Sequence, residues 1–229
     1  MQTIALTLAA VLVGTGALCA DKSKFTDTFP VEKAELASVG TNRFFNLVPG
    51  YQMVLEGREG GKATVLTITV LNETRMVDGV ATRVVEEKET AGGELVEISR
   101  NFFAISQRTS DVFYFGEEVD IYKAGQVVGH EGAWLSGVGG AHFGLAMPGR
   151  PLLGARYYQE VAPKVAMDRA EVLSLSELLK SPAGKFEHCL QTEETSAIEK
   201  VRERKLYAPG IGLIKDGDMT LTKYGYGPR

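Results

Sequence analysis

The three histidines are the residues whose type most readily suggests chemistry, and their spacing decides which metal site they could form. His130 is followed by Glu131, as at the start of a zincin helix, but Trp134 stands where the second histidine of that motif belongs. His130, Glu131 and His142 could still converge as zinc ligands around the glycine-rich segment between them. A metal-binding protein or hydrolase that uses these three residues is therefore one hypothesis, although scattered histidines on strands are more often structural.

The candidate nucleophiles lack the neighbours that would activate them. Ser136 is not part of a Gly-x-Ser-x-Gly elbow, because Trp134 occupies the first glycine position. Cys189 follows His188, but consecutive strand residues face opposite ways, so Cys189 is interpreted as a small buried filler. Three adjacent pairs of glutamates are interpreted as solvated strand-end charges: Glu86-Glu87, Glu117-Glu118 and Glu193-Glu194. No residue is assigned a catalytic role, and a non-enzymatic protein without a cofactor is favoured.

The stretch 132–158 is the most distinctive candidate for ligand binding. Its first part, 132–151, contains six glycines, two prolines and the single tryptophan of the chain. Loops on a rigid β scaffold often carry binding sites, and a long connection of this kind is often a lid. We therefore predict that aromatic, sulfur-containing and cationic side chains of this stretch contact a ligand: Trp134, His142, Phe143, Met147, Arg156 and Tyr158. The alternative is that the loop only covers the open end of the fold.

Short extended runs separated by turn signals fill the chain from residue 42 onward. Residues 63–72 alternate between apolar and polar side chains, and Asp78-Gly79 is a strong hairpin signal. Turns recur every 8–15 residues, which is typical of a sandwich or barrel and not of βαβ units. The sequence therefore predicts an all-β fold, a single antiparallel, strongly curved sheet or open barrel of about a dozen strands.

The predicted elements have the following bounds. Strands are expected at 51–58, 63–72, 80–90, 94–108, 111–115, 120–123, 126–129, 155–162, 168–175, 185–195, 199–207, 211–215 and 219–224. Gly116 is expected to form a turn between two of these strands. A helical turn is expected near 31–38 and could form at 174–181, and residues 196–205 have helical propensity although their context favours a strand.

The first twenty residues have the pattern of a secretory signal. They carry no charge, and their apolar run is too short to span a bilayer comfortably. Small residues near the end of the run suit signal peptidase, although the usual Lys or Arg before it is missing. Leu18 directly before Cys19 disfavours lipid attachment at that cysteine, and a lipid anchor or uncleaved anchor is the alternative. We therefore expect a signal peptide at 1–20, an N-terminal arm at 21–41 and a β domain at 42–229, exported to the periplasm or the medium, with no integral membrane segment after cleavage.

Length and composition set outer bounds on the class of protein. The chain has 229 residues, 44% of them hydrophobic and 24% charged, which is ordinary for a globular protein with a sizeable core. Its net charge of −4 and its isoelectric point near 5.5 argue against nucleic acid as a partner, because binding to phosphates needs a basic surface. By the same reasoning, attraction of the protein to membranes by charge is not expected.

Three segments together resemble a known group of proteins. They are 42–51, which contains Pro-Gly-Tyr, 147–160, which ends in Tyr-Tyr-Gln-Glu, and 207–214, which reads Tyr-Ala-Pro-Gly-Ile-Gly-Leu-Ile. The chain resembles a family of exported bacterial β-rich proteins that has no established catalytic residues. It is more distantly similar to the open half-barrels of periplasmic lipoprotein carriers, in which a curved sheet holds an acyl chain. Pro-Gly pairs are turn formers, so these segments are interpreted first as fold-defining.

These observations lead to three functional hypotheses. The first is an exported, non-enzymatic protein whose curved sheet binds an apolar or amphipathic ligand, such as a lipid or another apolar small molecule. The second is a structural or protein-interaction module whose barrel is filled by side chains. The third is the metal protein or hydrolase described above.

Overall fold

The computed structural model describes residues 24–227, and within that range the chain folds as predicted into an all-β structure. The signal peptide predicted at 1–20, with Cys19, lies outside the described residues. One turn of 3-10 helix at Lys33–Glu35 falls in the arm where a helical turn was expected. The strands are β1 (Leu36–Ala37), β2 (Thr41–Asn42), β3 (Phe45–Asn46), β4 (Tyr51–Glu59), β5 (Lys62–Val77), β6 (Val80–Ala91), β7 (Glu94–Ser106), β8 (Val112–Lys123), β9 (Gln126–Gly129), β10 (Trp134–Leu135), β11 (His142–Met147), β12 (Arg156–Tyr158), β13 (Glu160–Val161), β14 (Asp168–Ser181), β15 (Gly184–Ser196), β16 (Arg202–Ala208), β17 (Gly212–Asp216) and β18 (Met219–Tyr226).

The main sheet is an antiparallel meander that returns to its own beginning. Strands β4 to β8 pair in sequence order, β11 follows β8, and β14 to β18 continue on the other side. The last strand, β18, pairs with the first long strand, β4, so that Tyr226 lies opposite Tyr51. Successive strands of the wall are therefore hydrogen-bonded to each other, and the last strand is hydrogen-bonded to the first long strand.

The segment 156–161 completes the ring between β11 and β14. Its first half, β12, pairs with β14, and its second half, β13, pairs with β11. Between the two halves, the backbone N–H of Gln159 donates to the carbonyl of Asp168 at 2.7 Å. The two short strands therefore act as one, and they close the sheet into a barrel of twelve strands, in agreement with the predicted number.

Tight turns at one end of the barrel fix the register of its hairpins. Asp78 and Gly79, which join β5 to β6, have φ values of 49° and 77°. These left-handed values define the type of two-residue turn that matches the twist of paired strands. The predicted hairpin at Asp78-Gly79 is thus confirmed.

A short hairpin, β2–β3, plugs the barrel at the end where β4 begins. Its side chains Phe44 and Phe45 line the interior, and Asn42 fixes it in place. Asn42 is 5% exposed. Its amide nitrogen donates to the carbonyls of Ser110 at 2.8 Å and of Pro148 at 3.0 Å, and its Oδ1 accepts the N–H of Phe44 at 2.7 Å. We call residues 41–46 the plug.

The position of the plug explains why turn residues occur in the three segments, 42–51, 147–160 and 207–214, that resemble the exported β-rich family. The first segment supplies the plug, the second supplies the carbonyl of Pro148, and the N–H of Gly210 in the third donates to the carbonyl of Arg43 at 2.7 Å. Gly212 has a φ of 118°, and a Cβ there would lie 3.1 Å from the sulfur of Met53. These segments therefore meet at one end of the barrel, where they hold the plug.

We expect Asn42→Ala to lower the free energy of unfolding by about 3 kcal/mol, because three buried hydrogen bonds of about 1 kcal/mol each are lost. Urea denaturation followed by circular dichroism measures this change. The control is Asn72→Ala at an exposed position of β5, for which a change of no more than about 0.5 kcal/mol is expected. Equal effects of the two substitutions would mean that the plug does not depend on Asn42.

Three local predictions were wrong. Gly116 is not a turn between two strands but lies within β8, where the pairing with β7 shifts register. Residues 174–181 belong to strand β14 and not to a helix, because they pair with β15. The stretch 132–151 is not an open loop, since residues 142–147 form β11 in the barrel wall. Tertiary pairing overrides local propensity in each case.

Candidate functional site

The barrel encloses an interior, which we call the lumen, and it is not filled by side chains. Its main cavity has a volume of about 430 Å³ and is lined by residues of most of the wall strands and of the plug. A second cavity of about 200 Å³ shares Glu87, Glu97 and Asp216 with the first and reaches the exposed Glu59. The lumen is therefore closed by the plug at one end and opens at the other end, which we call the mouth. The hypothesis of a filled barrel does not fit this interior.

The side chains that face the lumen change from apolar to acidic along the barrel axis. On β6, Val85 lies nearer the plug, and Glu87 and Glu89 follow it toward the mouth. On β17, Leu213 is followed by Asp216 in the same direction. The apolar lining near the plug consists of Phe44, Phe45, Met53, Ile68, Val70, Val85, Phe103, Ala146 and Leu213. The lumen is thus amphipathic along its length.

Ten carboxylates line the lumen and its mouth. They are Glu59, Glu87, Glu89, Glu97, Glu117, Glu160, Asp168, Glu194, Glu203 and Asp216. Among the described residues that line these two cavities, Lys205 is the one basic side chain, whereas outside them, beside Glu59 and Glu203, the surface also carries Arg58, Arg202, Arg204 and Lys215. The lumen therefore carries a large excess of negative groups in a confined space, which favours a cationic occupant.

Lys205 neutralises part of this charge. Its ammonium lies 3.1 Å from Glu194 Oε2 and 3.4 Å from Asp216 Oδ2. The other oxygen of Glu194 accepts hydrogen bonds from Tyr207 at 3.1 Å and from Gln159 at 3.2 Å. Asp216 Oδ1, in contrast, is buried and has no hydrogen-bond partner among the described residues. A buried carboxylate oxygen without a donor is a vacant acceptor, open to a donor from a ligand.

The crowding of carboxylates changes their protonation. The pKa of Glu87 is raised to about 7, chiefly by burial; Lys205 opposes this rise, and the neighbouring Asp216, Glu97 and Glu194 contribute to it. Burial, followed by the charge of Glu87, raises the pKa of Glu117 to about 7 as well. The carboxyl groups of Glu87 on β6 and Glu117 on β8 are therefore each partly protonated near neutral pH.

Trp134 lies directly behind the lumen wall. Its indole N–H donates to Glu160 Oε2 at 2.7 Å, and its ring packs edge-on against Tyr114 with the centroids 5.4 Å apart. Burial raises the pKa of Glu160 well above its usual range, and the indole donor opposes this effect. The hydroxyl of Tyr114 in turn donates to Asn101 Oδ1. The side chains of Glu160, Tyr114 and Asn101 all line the main cavity, so Trp134 is coupled to its wall.

The other five predicted ligand contacts lie elsewhere. Phe143 stacks on Phe115 with the centroids 4.8 Å apart, and Met147 is 1% exposed in the core. Arg156 binds Glu171 at 2.7 Å, and Tyr158 packs against Phe25 of the arm. His142 is half-buried on β11, next to the cavity-lining residues without being one of them. The structure does not bring the six residues together, and their contact with a ligand stays a prediction.

His130 and Cys189 lie in different surroundings, His130 on the surface and Cys189 in the core. His130 lies 3.1 Å from Asp120 Oδ1 on the surface, and its Nδ1 is 2.7 Å from the carbonyl of Val119. Within residues 24–227 no three side chains of the His, Cys, Asp or Glu types are grouped so as to hold a metal ion, which disfavours the hypothesis built on His130, Glu131 and His142. Cys189 is fully buried, and burial raises the pKa of its thiol, as expected of a structural filler.

The glutamate pairs were the signal that sequence reasoning missed. In each pair, one member faces the lumen, and these members are Glu87, Glu117 and Glu194. The other member faces outward and binds an arginine: Glu86 with Arg100, Glu118 with Arg75 and Glu193 with Arg202. The interpretation of all six as solvated strand-end charges was therefore wrong for the inward three. Adjacent glutamates in the middle of a strand could have indicated an acidic interior.

Comparisons with known proteins do not assign this chain to a family. No protein-family model and no curated protein matches the chain. A solved structure of a "putative lipoprotein" from Parabacteroides distasonis ATCC 8503 is similar, with 14% sequence identity and a TM-score of 0.39 over 81% of this chain and all of that one. A similarity of this size implies nothing about a shared activity. Among residues 24–227, no helix has the length and hydrophobicity needed to cross a bilayer.

Proposed function

We propose that the protein is an exported, non-enzymatic binding protein whose lumen holds an amphipathic cation, that is, an apolar molecule with an amino group. The observation that carries the proposal is the axial polarity of the lumen. An apolar pocket near the plug suits a hydrocarbon or ring system, and the carboxylates toward the mouth suit an ammonium group. The volume of about 430 Å³ lies within the usual range for small-ligand sites.

The vacant acceptor on Asp216 supports this choice of ligand charge. Asp216, Glu87 and Glu97 lie where the two cavities meet, and of the two carboxylate oxygens of Asp216, Lys205 contacts Oδ2 and leaves Oδ1 without a partner among the described residues. A ligand ammonium at this junction would complete the hydrogen bonding of the buried oxygen and reduce the repulsion among the carboxylates. A fatty acid would instead bring another negative charge into the lumen, at a large electrostatic cost.

Trp134 provides a direct test, because it is the single tryptophan and contacts Glu160 in the cavity wall. Dodecylamine, dodecanol and dodecanoate share a chain length and differ in charge. We expect the fluorescence of Trp134 to change most strongly, and at the lowest concentration, with dodecylamine. Dodecanoate binding as tightly as dodecylamine would contradict the proposal, and so would the absence of any response to the amine.

Mass spectrometry under native conditions tests the same proposal with the natural ligand. The protein purified from the exported fraction should carry an additional mass that is released at low pH. The variant Glu97→Gln should bind dodecylamine at least tenfold more weakly than the wild type, because it removes a carboxylate at the junction. The variant Glu73→Gln, on the exposed part of β5, is the matched control and should bind like the wild type.

A further inference from the structure

Strand β7 carries four side chains toward the lumen, and they change in kind from the mouth to the plug. They are Glu97, Ser99, Asn101 and Phe103, all of which line the main cavity. Alternate residues of a strand share a face and follow each other at about 7 Å. The order along β7 is therefore carboxylate, hydroxyl, carboxamide and aromatic ring. Two neutral polar groups thus separate the acidic part of the lumen from its apolar part.

The amide of Asn101 is held in one orientation by three hydrogen bonds. Its Nδ2 donates to the carbonyl of Val85 at 3.4 Å and to Ser99 Oγ at 3.1 Å, and its Oδ1 accepts the hydroxyl of Tyr114. The carbonyl of Val85 can only accept, so Nδ2 must face it and Oδ1 must face Tyr114. We call Ser99, Asn101 and Tyr114 the neutral cluster. All three line the main cavity, and none is more than 9% exposed.

One donor of the neutral cluster has no partner among the described residues. Both N–H groups of Asn101 are used, and so is the proton of Tyr114. Ser99 accepts a bond from Asn101, but its own O–H donates to no acceptor within residues 24–227. A buried hydroxyl that only accepts has an unused donor, and this one faces the cavity. Ser99 can therefore donate to an oxygen atom of a ligand.

The position of Ser99 sets where that oxygen would lie on the ligand. Glu87 on β6 is paired directly with Ser99 on β7, and both side chains line the main cavity. Side chains paired in this way have Cβ atoms about 5 Å apart. A ligand ammonium bound by Glu87 and a ligand oxygen bound by Ser99 therefore belong to adjacent, or nearly adjacent, carbon atoms.

A hydroxyl group fits this position better than a carbonyl group. A hydroxyl can accept from Ser99 and also donate to a neighbouring carboxylate such as Glu87, whereas a carbonyl oxygen can only accept. The hydrocarbon of the ligand would then extend from the neutral cluster toward the plug. The ring of Phe103 provides an apolar surface there, because its centroid lies 4.7 Å from that of Tyr114 and 5.0 Å from that of Phe45.

We propose that the ligand of the lumen is a long-chain vicinal amino alcohol, an assignment that rests on the proposed function, and that Ser99 recognises its hydroxyl group. The ammonium group binds the carboxylates where the two cavities meet, the hydroxyl binds the neutral cluster, and the hydrocarbon fills the apolar end. Ser99 therefore distinguishes this ligand from a simple amine of the same chain length.

Calorimetric titration of the wild type at pH 8 with three ligands tests the assignment. Dodecylamine has no hydroxyl, 1-aminododecan-2-ol carries one next to the amine carbon, and the isomer 1-aminododecan-6-ol carries it in the middle of the chain. We expect 1-aminododecan-2-ol to bind at least about fivefold more tightly than either of the others, which is the effect of one hydrogen bond. The isomer would bury its hydroxyl in the apolar part of the lumen, where no partner compensates it.

The variant Ser99→Ala tests which residue provides the preference. The ratio of the affinities for 1-aminododecan-2-ol and dodecylamine should fall to less than half of its value in the wild type. The matched control is Ser106→Ala, since Ser106 lies on the same strand and is 2% exposed, but is outside the lining of both cavities. Ser106 accepts the N–H of Thr109 at 3.1 Å in the turn after β7. This control should keep the ratio of the wild type, and thermal unfolding shows whether both variants are folded.

Three results would overturn the assignment. They are a preference of the wild type below fivefold over dodecylamine, a preference below fivefold over the isomer, and a ratio in folded Ser99→Ala that stays at half or more of the wild-type value. The first two need no variant. Each of the three leaves the proposed function in place as long as dodecylamine itself binds, whereas binding of neither amine would remove both proposals.

Discussion

Dodecylamine is expected to bind about 30-fold more tightly at pH 8 than at pH 5.5. With a pKa of about 7, Glu87 is ionised in about 3% of molecules at the lower pH and in about 90% at the higher pH. The amine stays protonated across this range, as a lysine does. If the ammonium requires the ionised carboxylate, its apparent affinity follows the ionised fraction. Titration of Trp134 fluorescence at each pH measures the effect.

Several charged groups face Glu87 across the lumen and shift its pKa. They come from the strands packed around it: Glu97 on β7, Glu194 on β15, Lys205 on β16 and Asp216 on β17. Glu87→Gln should flatten the pH dependence of amine binding, while Glu73→Gln should retain it. If the affinity were the same at both pH values in the wild type, the ammonium would not be bound by the titrating carboxylates.

The affinity for dodecylamine should rise with pH, but the stability of the protein without ligand should fall. The pKa of Glu87 and that of Glu117 are raised to about 7 in the folded state, from a usual value of 4.5. Between these values the folded protein holds protons that the unfolded chain has released, so the free energy of unfolding falls as pH rises. We expect a higher unfolding temperature at pH 5.5 than at pH 8, and saturating dodecylamine should narrow the difference.

Gly144→Ala is expected to lower the free energy of unfolding by at least about 3 kcal/mol, because it obstructs the closure of the barrel. A Cβ at residue 144 on β11 would lie 2.3 Å from the carbonyl oxygen of Gln159 and 2.8 Å from the nitrogen of Glu160. Both atoms belong to the backbone of the closing segment 156–161, which cannot move away without losing its pairing with β11. Urea denaturation measures the loss of stability.

A second glycine provides the control for Gly144. Gly227 needs no left-handed backbone, and a Cβ there would meet nothing within 4 Å. Gly227→Ala should therefore unfold at the same urea concentration as the wild type. Hydrogen exchange at the amides of β11 and of 156–161 should accelerate in Gly144→Ala alone. Unchanged stability of that variant would show that the ring does not depend on close contact at this position.

The sequence predicted the positions of most strands, but it did not predict which face of each strand lies inside the barrel. Alternation and turn residues predicted most strand positions, because period-two patterns and Asp-Gly turns are local. Alternation alone, however, does not tell which face of a strand lies inside when both faces carry polar residues. Glu87, Glu97 and Glu117 have the pattern of a solvated face, and they face a lumen because the sheet closes on itself. Closure depends on pairing between β4 and β18, which local sequence does not encode.

The candidate site was missed for a related reason. Sequence reasoning sought a ligand site at the loop 132–158, where aromatic residues and glycines are dense. In the structure, Trp134 and Phe143 pack into the wall, and Ser136 ties this region to the β5–β6 turn by donating to Asp78 Oδ2 at 2.8 Å. The plug was not foreseen either, because its strands have two residues each and carry no periodic signal. The similarity to open half-barrel lipoprotein carriers stays a prediction.

The pairing of β18 with β4 has a consequence for how the wall may be connected. Every strand of the ring is hydrogen-bonded to the next one along the chain, and Tyr51 at the start of β4 lies opposite Tyr226 at the end of β18. Such a ring has no intrinsic first strand. A circular permutant in which a linker joins the end of β18 to the arm that precedes the plug, and in which the chain is opened at the exposed Gly92-Gly93 turn, would retain the plug and every strand pair of the wall except the end of the opened β6–β7 hairpin. The order of strands in the gene is therefore one of several that encode the same barrel.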